Sequence, residues 1–376
     1  MSVRALLISA YDAGSHARWR RQLVAHLPEL EWEVLTLPPR HFSWRARGNS
    51  YSLAFERGEA LARGYDVAVV TSMCDLSALR GFVPSLAATP TLVYSHENQL
   101  AYPVSGQADA RNDVHLKLLN LYTLLCADRA LFNSAFNRDT CLSGLRALLQ
   151  RLPDHAPLAP LDALAARSVV TPVPLEDDLF ITPRAPTDAA IPRLVWSQRW
   201  EYDRAPEVVI EALERLSARG VAFRLHLLGQ RFRKIPEALA RAEHTLSAHL
   251  DTYGFVEDRA AYLDTLRRSH IVISASRHEF QGLAMQEAIA SGCHPVAPDR
   301  MAYPEYIAAA DRYPSTPDAP DAEVTALADH LHALITSGRW RATPDRATIE
   351  PLRWSRMADT YRAHLRALLP HTEIPA

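Results

Sequence analysis

The chain has 376 residues, of which 48% are apolar, and this is enough for two domains of roughly 150–200 residues, each with its own core. The formal net charge of −2 excludes a chain-wide positive field, so any nucleic acid must be bound by a local patch. The cysteines show no CxxC spacing and indicate neither a disulfide framework nor a metal site.

The first half alternates short apolar runs with helical patterns. Strands are predicted at residues 5–10, 33–37, 67–71, 91–95 and 129–132, and helices near 17–26, 52–63, 113–126 and 135–149. This alternation predicts a parallel, doubly wound sheet. The first run contains Arg4 and is followed by Asp12, so we expect a strand there and no signal peptide. No apolar run is long enough for a bilayer, and we expect a cytoplasmic protein without membrane contact.

A proline-rich interval at residues 153–192 predicts a linker. A second alternation follows, with strands predicted at residues 194–197, 224–228, 252–255, 271–274 and 294–297. The apolar positions of residues 355–369 predict a terminal amphipathic helix. We therefore expect an N-terminal domain over 1–180, a C-terminal domain over 190–350 and a C-terminal segment over 351–376.

One strand-to-helix transition of the second half carries two carboxylates around a glycine. Residues 277–287 read R-H-E-F-Q-G-L-A-M-Q-E, with Glu279 in the loop, Gly282 near the helix N-terminus and Glu287 one turn into the helix. A helix N-terminus binds anions, whereas carboxylates suit hydroxyl-rich groups. A ligand that combines phosphate with sugar fits both features. The alternative is that both glutamates are solvated surface charges.

A second transition supplies cations. The strand at 194–197 runs into a loop with Arg199 and Arg204, and a helix is predicted to start near Ala205. Arginines at the carboxyl end of a strand can clamp a diphosphate with forked donors. We expect loss of either side chain to weaken donor binding with little effect on folding.

Two loops of the first half carry polar groups after strands. Gly14 lets the backbone approach a ligand closely, with Ser15 as a helix N-cap, but the loop lacks a dinucleotide fingerprint. His96 begins the loop H-E-N-Q, where Asn98 and Gln99 can bond hydroxyls or a base edge. The alternative for His96 is a histidine that satisfies loop backbone groups.

Residues 41–47 interleave aromatic rings with cations. Trp44 could stack an unpaired base, while Arg45 and Arg47 hold phosphates. Further arginines stand in the first predicted helix: Arg18, Arg20 and Arg21. The loop is thus a candidate RNA contact, and the alternative is an amphipathic loop that covers the core.

The spacing of the second-half motifs resembles a known enzyme class. Arg-x4-Arg followed by Glu-x7-Glu resembles the retaining, GT4-type glycosyltransferases of the GT-B fold, with Arg204 where those enzymes usually have lysine. Four further segments make the resemblance more specific: H-E-N-Q-L-A-Y-P, W-R-A-R, W-S-Q-R-W-E and H-E-F. Together they resemble the tRNA-queuosine mannosyltransferases over nearly the whole chain.

The resemblance implies two facing Rossmann-like α/β domains with an interdomain cleft, and a terminal helix that returns to the first domain. It implies GDP-mannose as donor and the queuosine of a tRNA anticodon, that of tRNA-Asp, as acceptor, without metal or another cofactor. The implied catalytic residues are His96, Arg199, Arg204 and Glu279. The implied donor contacts are Gly14, Arg199, Arg204, Phe255, Glu279, Phe280, Gly282, Leu283 and Glu287. The implied acceptor contacts are Ser15, His16, Trp44, Arg45, Arg47, Asn98, Gln99 and Tyr102.

Two other functions stay open on the sequence. A transferase of this type could act on a lipid or a small glycan, which would require an exposed apolar or basic membrane face. A non-catalytic protein could bind RNA or a nucleotide sugar, but intact Arg199, Arg204, Glu279 and Glu287 argue against a decayed site.

Overall fold

The computed structural model describes residues 2–102, 110–180, 189–230, 235–342 and 344–369. The chain divides into two compact units. The first comprises Met1–Pro174 with Trp354–Ala376, and the second comprises Leu175–Arg353. The boundary therefore falls at Pro174, earlier than the expected residue 180. Within these ranges no helix combines the length and the apolar character that crossing a membrane requires.

The first unit is built on a parallel six-stranded sheet. Its strands are β1 (Val3–Ser9), β2 (Leu30–Thr36), β3 (Val67–Thr71), β4 (Thr91–Ser95), β5 (Arg129–Phe132) and β6 (Ser168–Val170). They lie in the order β2-β1-β3-β4-β5-β6, which confirms the predicted doubly wound class. β3 and β4 are buried along their whole length, because helices cover both faces of the sheet.

Among the described residues of this unit, six α-helices precede the second unit. They are α1 (Gly14–His26), α2 (Phe42–Leu61), α3 (Leu76–Phe82), α4 (Ala110–Leu125), α5 (Ala135–Gln150) and α6 (Ala159–Ala166). The predicted helix at 52–63 in fact begins at Phe42, so the W-R-A-R segment is helical and the prediction of a loop there is wrong. The inner face of α2 carries Asn49, Ser50 and Ser52 beside Ala46 and Leu53, and buried polar residues obscure the apolar period.

The proline-rich interval is also more ordered than predicted. It contains α6 and β6, the last strand of the first sheet. Pro160 stands in the first turn of α6, where its missing N–H costs nothing, and Leu161 and Leu164 are buried. Residues 181–188 of the interval lie outside the described residues.

The second unit repeats the architecture with a second parallel six-stranded sheet. Its strands are β7 (Arg193–Ser197), β8 (Arg224–Leu228), β9 (Leu250–Gly254), β10 (Ile271–Ile273), β11 (His294–Pro298) and β12 (Arg312–Tyr313). Its helices are α7 (Pro206–Ala218), α8 (Glu237–Thr245), α9 (Arg259–Arg268), α10 (Leu283–Ala290) and α11 (Pro320–Thr336). The strand order is β12-β11-β10-β7-β8-β9, and the two-residue β12 is too short for sequence patterning to find.

The last helix, α12 (Trp354–Arg366), packs within the first unit. The Trp19 indole N–H donates to Tyr361 Oη over 3.1 Å, and Arg362 Nε donates to Glu29 over 2.6 Å. Trp354 stacks on His26 at 4.7 Å between ring centroids. Residues 370–376 of the expected C-terminal segment lie outside the described residues.

The environment of His364 in α12 predicts how the stability of the protein depends on pH. Arg129 Nη1 donates to its Nδ1 over 2.7 Å, and its Nε2 lies 3.0 Å from Thr171 Oγ1. Burial and the Arg129 charge lower the pKa of His364 from 6.5 to about 4. Between these pH values the unfolded chain binds a proton that the folded chain does not, so stability should fall as pH drops from 6.5 towards 4.

Thermal unfolding at a series of pH values tests this expectation. His364→Gln should be less stable than the wild type at pH 7, yet its stability should fall less steeply below pH 6.5. An equally steep decline in the variant would show that His364 does not contribute to the acid sensitivity.

Candidate active site

The second unit has a single reversal of strand order, between β7 and β10. The chain runs from β7 through β8 to β9 on one side and returns with β10 on the other side of β7. The loops that follow β7 and β10 therefore leave the same edge as neighbours. Open α/β sheets bind ligands at such a point. Both second-half motifs lie in these two loops.

Arg204 and Glu279 form an ion pair that joins the two loops. Arg204 Nη1 donates to Glu279 Oε2 over 2.9 Å and also to the carbonyl of His278. The side chains are only 9% and 16% exposed. Ala205, with a φ of +46°, is the N-cap of α7 and directly follows this arginine. Arg204 therefore orients Glu279, and its loss should affect folding, contrary to the expectation from the sequence.

Two residues that the sequence analysis missed complete the surroundings of this pair. Asp203 is buried, with Oδ2 at 3.6 Å from Arg204 Nε and 3.9 Å from His278 Nδ1. Burial and the Arg204 charge lower the pKa of His278 to about 4, so this imidazole is neutral at pH 7. The H-E-F motif was visible in the sequence, but nothing in it indicated that Asp203 lies beside it.

Arg199 occupies a different environment from Arg204. Its side chain is 49% exposed and pairs with Glu201 of the same loop at 3.1 Å. An exposed guanidinium can turn towards a ligand at little cost, whereas the buried one cannot. The two arginines of the predicted clamp are therefore not equivalent: Arg199 is the accessible candidate for the phosphate, whereas Arg204 positions a carboxylate, and diphosphate binding by the pair stays a prediction.

Glu287 is held inside the unit by side chains of α9. Tyr262 Oη donates to Glu287 Oε2 over 3.1 Å, and Arg259 Nη1 lies 3.5 Å from the same oxygen. Burial, together with the Glu287 charge, raises the pKa of Tyr262, so its hydroxyl stays protonated. Ser197, at the end of β7, donates to Tyr262 over 3.3 Å. Tyr262 and Arg259 were missed; their one-turn spacing on α9 is the only signal that the sequence offers.

Gly282 caps the N-terminus of α10 and cannot be replaced without strain. Its φ is +82°, and a Cβ there would lie 2.3 Å from Tyr306 Oη and 3.5 Å from Glu279 Cγ. The Tyr306 hydroxyl is buried and has no hydrogen-bond partner within the described structure. Burial raises the pKa of Tyr306, so this hydroxyl keeps its proton and can donate a hydrogen bond. A donor, a carboxylate and a helix N-terminus therefore converge at Gly282.

The remaining donor candidates differ in position. Phe280 is buried, with its ring 4.7 Å from that of His278, and supports the loop from inside. Leu283 is half-buried and packs against the core beneath α10. Phe255 is exposed and follows β9, the edge strand, two strands from β7. The structure therefore does not place Phe255 among the Arg204–Glu279 contacts.

The first unit brings two histidines together at the carboxyl edge of its sheet. The rings of His16 and His96 stack with centroids 4.1 Å apart, and the Trp19 ring meets His96 edge-on at 4.8 Å. Both histidines are buried, and His16 Nδ1 lies 3.0 Å from the carbonyl of Tyr11. His96 Nε2 is buried and has no hydrogen-bond partner among the residues that the structure describes. Burial and the neighbouring His16 hold the pKa of His96 well below its usual value, so it is neutral.

Gly14 and Ser15 form the exposed first turn of α1. The N-cap is Ala13, so the prediction of Ser15 as N-cap is wrong. A Cβ on Gly14 would meet nothing within 4 Å, so the fold itself does not demand glycine there.

Asn98 and Gln99 are committed to the fold. Asn98 Nδ2 donates to Asn137 Oδ1 over 2.8 Å, while its Oδ1 accepts from the backbone N–H groups of Leu100 and Ala101, each over 2.9 Å. The Gln99 backbone donates to Asn120 over 2.7 Å, and its side chain is buried. The assignment of Asn98 as an acceptor contact is therefore corrected to a role in shaping the loop, and that of Gln99 stays a prediction.

Tyr102 is half-buried at the end of the described part of this loop. Pro103, the last residue of the H-E-N-Q-L-A-Y-P motif, lies outside the described residues.

The candidate RNA-binding side chains of the first unit differ in their exposure to solvent. Trp44 and Arg47 are exposed in the first turns of α2, and Arg45 is half-buried there. Arg20 donates two bonds to Asp12, over 2.8 and 3.2 Å, so its assignment to an RNA-binding face is withdrawn. Arg18 is half-buried and Arg21 is exposed on α1.

Within the ranges described above, no three His, Cys, Asp or Glu side chains are placed so that they could hold a metal ion.

Comparisons with known proteins first identify the class of enzyme to which the chain belongs. Residues 188–347 match the family model described as "Glycosyl transferases group 1". A glycosyltransferase of Rickettsia africae is 14% identical with a TM-score of 0.67, over 99% of this chain and 100% of that one. Sucrose-phosphate synthase of Thermosynechococcus elongatus is 16% identical with a TM-score of 0.71, over 98% and 100%. The fold is that of the GT-B glycosyltransferases, and the chain is a glycosyltransferase.

A more specific relationship covers both units. Residues 4–175 match the model described as "tRNA-queuosine alpha-mannosyltransferase N-terminal". The protein of Drosophila melanogaster named tRNA-queuosine alpha-mannosyltransferase is 32% identical over 308 residues, which are 80% of this chain and 80% of that protein. The chain belongs to the tRNA-queuosine α-mannosyltransferase family.

Proposed function

We propose that this enzyme transfers mannose from GDP-mannose to the queuosine of tRNA-Asp, with retention of the anomeric configuration, in the cytoplasm. The observation that carries the proposal is the buried Arg204–Glu279 pair beside the N-terminus of α10, in a chain of this family. A carboxylate held by an arginine is a fixed hydrogen-bond acceptor for sugar hydroxyls. The helix N-terminus next to it suits the diphosphate of the same ligand.

Each group of the second unit has a part in holding the donor. Arg199 and the first N–H groups of α10 neutralise the diphosphate as its charge develops, which is the largest electrostatic contribution to catalysis. Glu279 accepts from hexose hydroxyls and Tyr306 donates to the same ligand. Glu287, held by Tyr262, accepts from the ribose hydroxyls.

The transfer itself needs no carboxylate nucleophile. The acceptor hydroxyl oxygen forms a bond to the anomeric carbon on the face from which the diphosphate departs, and the bond from that carbon to the phosphate oxygen breaks. The proton of the acceptor hydroxyl passes to the departing phosphate. This differs from glycosidases, which use two carboxylates across the bond. Glu279 is unsuited to nucleophilic attack, because its charge is already paired with Arg204.

The acceptor is assigned to the first unit. His96, neutral and with a buried unpartnered Nε2, is the candidate contact to the reacting groups there. His16 stacks on it and holds its ring plane. Trp44, Arg45 and Arg47 remain the candidate RNA contacts.

The direct test is a transfer assay. The enzyme is incubated with GDP-mannose and queuosine-containing tRNA, and the digested nucleosides are analysed by mass spectrometry. A hexose-sized gain on queuosine is expected, with none on tRNA that carries guanosine at that position and a much slower gain with Glu279→Gln. Transfer only from a uridine-based donor, or no gain on queuosine at all, would contradict the proposal.

Activity is expected to survive metal chelation. The diphosphate charge is met by Arg199 and a helix N-terminus, so no divalent cation is needed to neutralise it. Initial rates should be equal with and without EDTA. GDP affinity, measured by calorimetry in the same buffers, serves as the control. A loss of activity that magnesium or manganese restores would show that a cation takes part.

A further inference from the structure

An exposed row of aromatic rings runs along α2 and continues onto α3. Trp44, Tyr51 and Phe55 are spaced by seven and four residues, which places them on one face of the helix, opposite the buried face. With Phe82 of α3 they form what we call the aromatic stripe, and its members are between 50% and 66% exposed. A contiguous exposed apolar surface of this kind marks an interaction site.

The rings of the aromatic stripe are held against the protein. The centroids of Tyr51 and Phe55 are 4.8 Å apart, and those of Phe55 and Phe82 are 5.5 Å apart. The Trp44 indole lies flat over Gly48, where a Cβ would come within 2.7 Å of the ring. Gly48 thus lets the indole rest on the helix with its outer face to solvent. Rings ordered in this way lose little entropy when they bind a partner.

The charge around the aromatic stripe favours a nucleic acid. The helix α2 carries three arginines, Arg45, Arg47 and Arg57, and two glutamates, Glu56 and Glu59, so its charge is +1 in a chain with a net charge of −2, and Arg45 and Arg47 lie beside Trp44. Aromatic rings interleaved with arginines bind unpaired nucleotides through stacking and phosphate contacts. A second copy docked by a twofold axis would bring the same arginines towards each other, which is unfavourable.

The aromatic stripe begins at the edge where the two histidines lie. Phe42 packs edge-on against Tyr11, which follows β1, at 5.5 Å. Asn49 Oδ1 accepts from the backbone N–H of Asp75, in the loop after β3, over 2.8 Å. From Trp44 the stripe runs along α2 to Phe55, about 16 Å at the helical rise per residue. It is therefore a track that leads away from the acceptor edge.

We propose that the aromatic stripe stacks unpaired nucleotides of the RNA acceptor that flank the nucleotide presented at this edge. The inference rests on the proposed function and extends the RNA contact beyond Trp44 to Tyr51, Phe55 and Phe82. Every base has an aromatic face, so the stripe holds RNA without selecting a sequence, and recognition of queuosine falls to the edge itself.

Variants that separate stacking from apolar burial test the inference. Tyr51→Ala with Phe55→Ala should weaken binding of a fluorescently labelled tRNA, measured by anisotropy, by about tenfold or more. The dependence of binding on salt should keep its slope, because no phosphate contact is lost. Tyr51→Leu with Phe55→Leu should weaken binding similarly, since leucine keeps apolar area and lacks a ring face. Tyr122→Ala, an exposed aromatic outside the stripe, is the matched control and should bind as the wild type.

The outcomes distinguish the inference from the function on which it rests. Wild-type affinity in both double variants would overturn the aromatic stripe as an RNA contact, even if transfer to tRNA proceeds. If the leucine variants bind tRNA normally and the alanine variants lose self-association in sedimentation, the stripe is occupied by a second copy. If the wild type binds GDP but no tRNA, the RNA acceptor itself is wrong.

Discussion

Arg204→Ala is expected to destabilise the second unit and to abolish transfer, whereas Arg199→Ala should affect only the donor. Removing Arg204 leaves the poorly exposed Glu279 carboxylate and the His278 carbonyl without their shared donor. Breaking a buried ion pair costs roughly 3–5 kcal/mol, and the slight exposure of Glu279 favours the lower end of that range. Urea unfolding with linear extrapolation measures the loss.

Two matched variants separate the structural from the ligand effect. Arg199→Ala removes an exposed cation, so it should unfold as the wild type and bind GDP about tenfold more weakly. Arg204→Lys keeps the charge but loses the fork that reaches both acceptors, and it should recover only part of the stability. Arg204→Ala with wild-type stability would show that the pair does not hold the loops together.

The second large effect is expected at the two glutamates, because substitution of each should impair a different step, donor binding or sugar transfer. Glu287→Gln should weaken the binding of GDP about ten- to a hundredfold, because a charged hydrogen bond to the ribose is lost. Glu279→Gln should reduce the transfer rate by a similar factor and leave GDP affinity near that of the wild type, because GDP lacks the hexose. Calorimetry with GDP and initial transfer rates measure the two quantities.

Tyr262→Phe tests how Glu287 is positioned. The substitution removes the hydroxyl that donates to Glu287 and keeps the ring, so GDP affinity should fall less than in Glu287→Gln. The opposite pattern, with Glu279→Gln weakening GDP binding and Glu287→Gln sparing it, would exchange the two assignments.

Much of the architecture follows from local patterns in the chain. Apolar runs that alternate with helical periods predict two doubly wound sheets, because burial on both faces of a parallel strand leaves a readable signature. The Glu-x7-Glu and Arg-x4-Arg spacings each lie within one strand-to-helix transition, so they too can be read from local sequence. They indicate the carboxyl edge of the second sheet as the proposed donor site. Two helix starts also depend on local residues: Gly282 is the N-cap of α10, and Pro206 is the first residue of α7.

Tertiary structure decided which of these side chains meet. Arg204 and Glu279 are 75 residues apart, and they meet because strand order places the loops after β7 and β10 together. Tyr262 and Glu287 are 25 residues apart, and they meet because α9 packs against α10. Asn98 became part of the fold because Asn137, from α5, reaches it. No local pattern contains such information, since each contact depends on how distant segments pack. Sequence alone therefore named the groups of the proposed donor site, and packing divided them into accessible side chains and side chains that hold others in place.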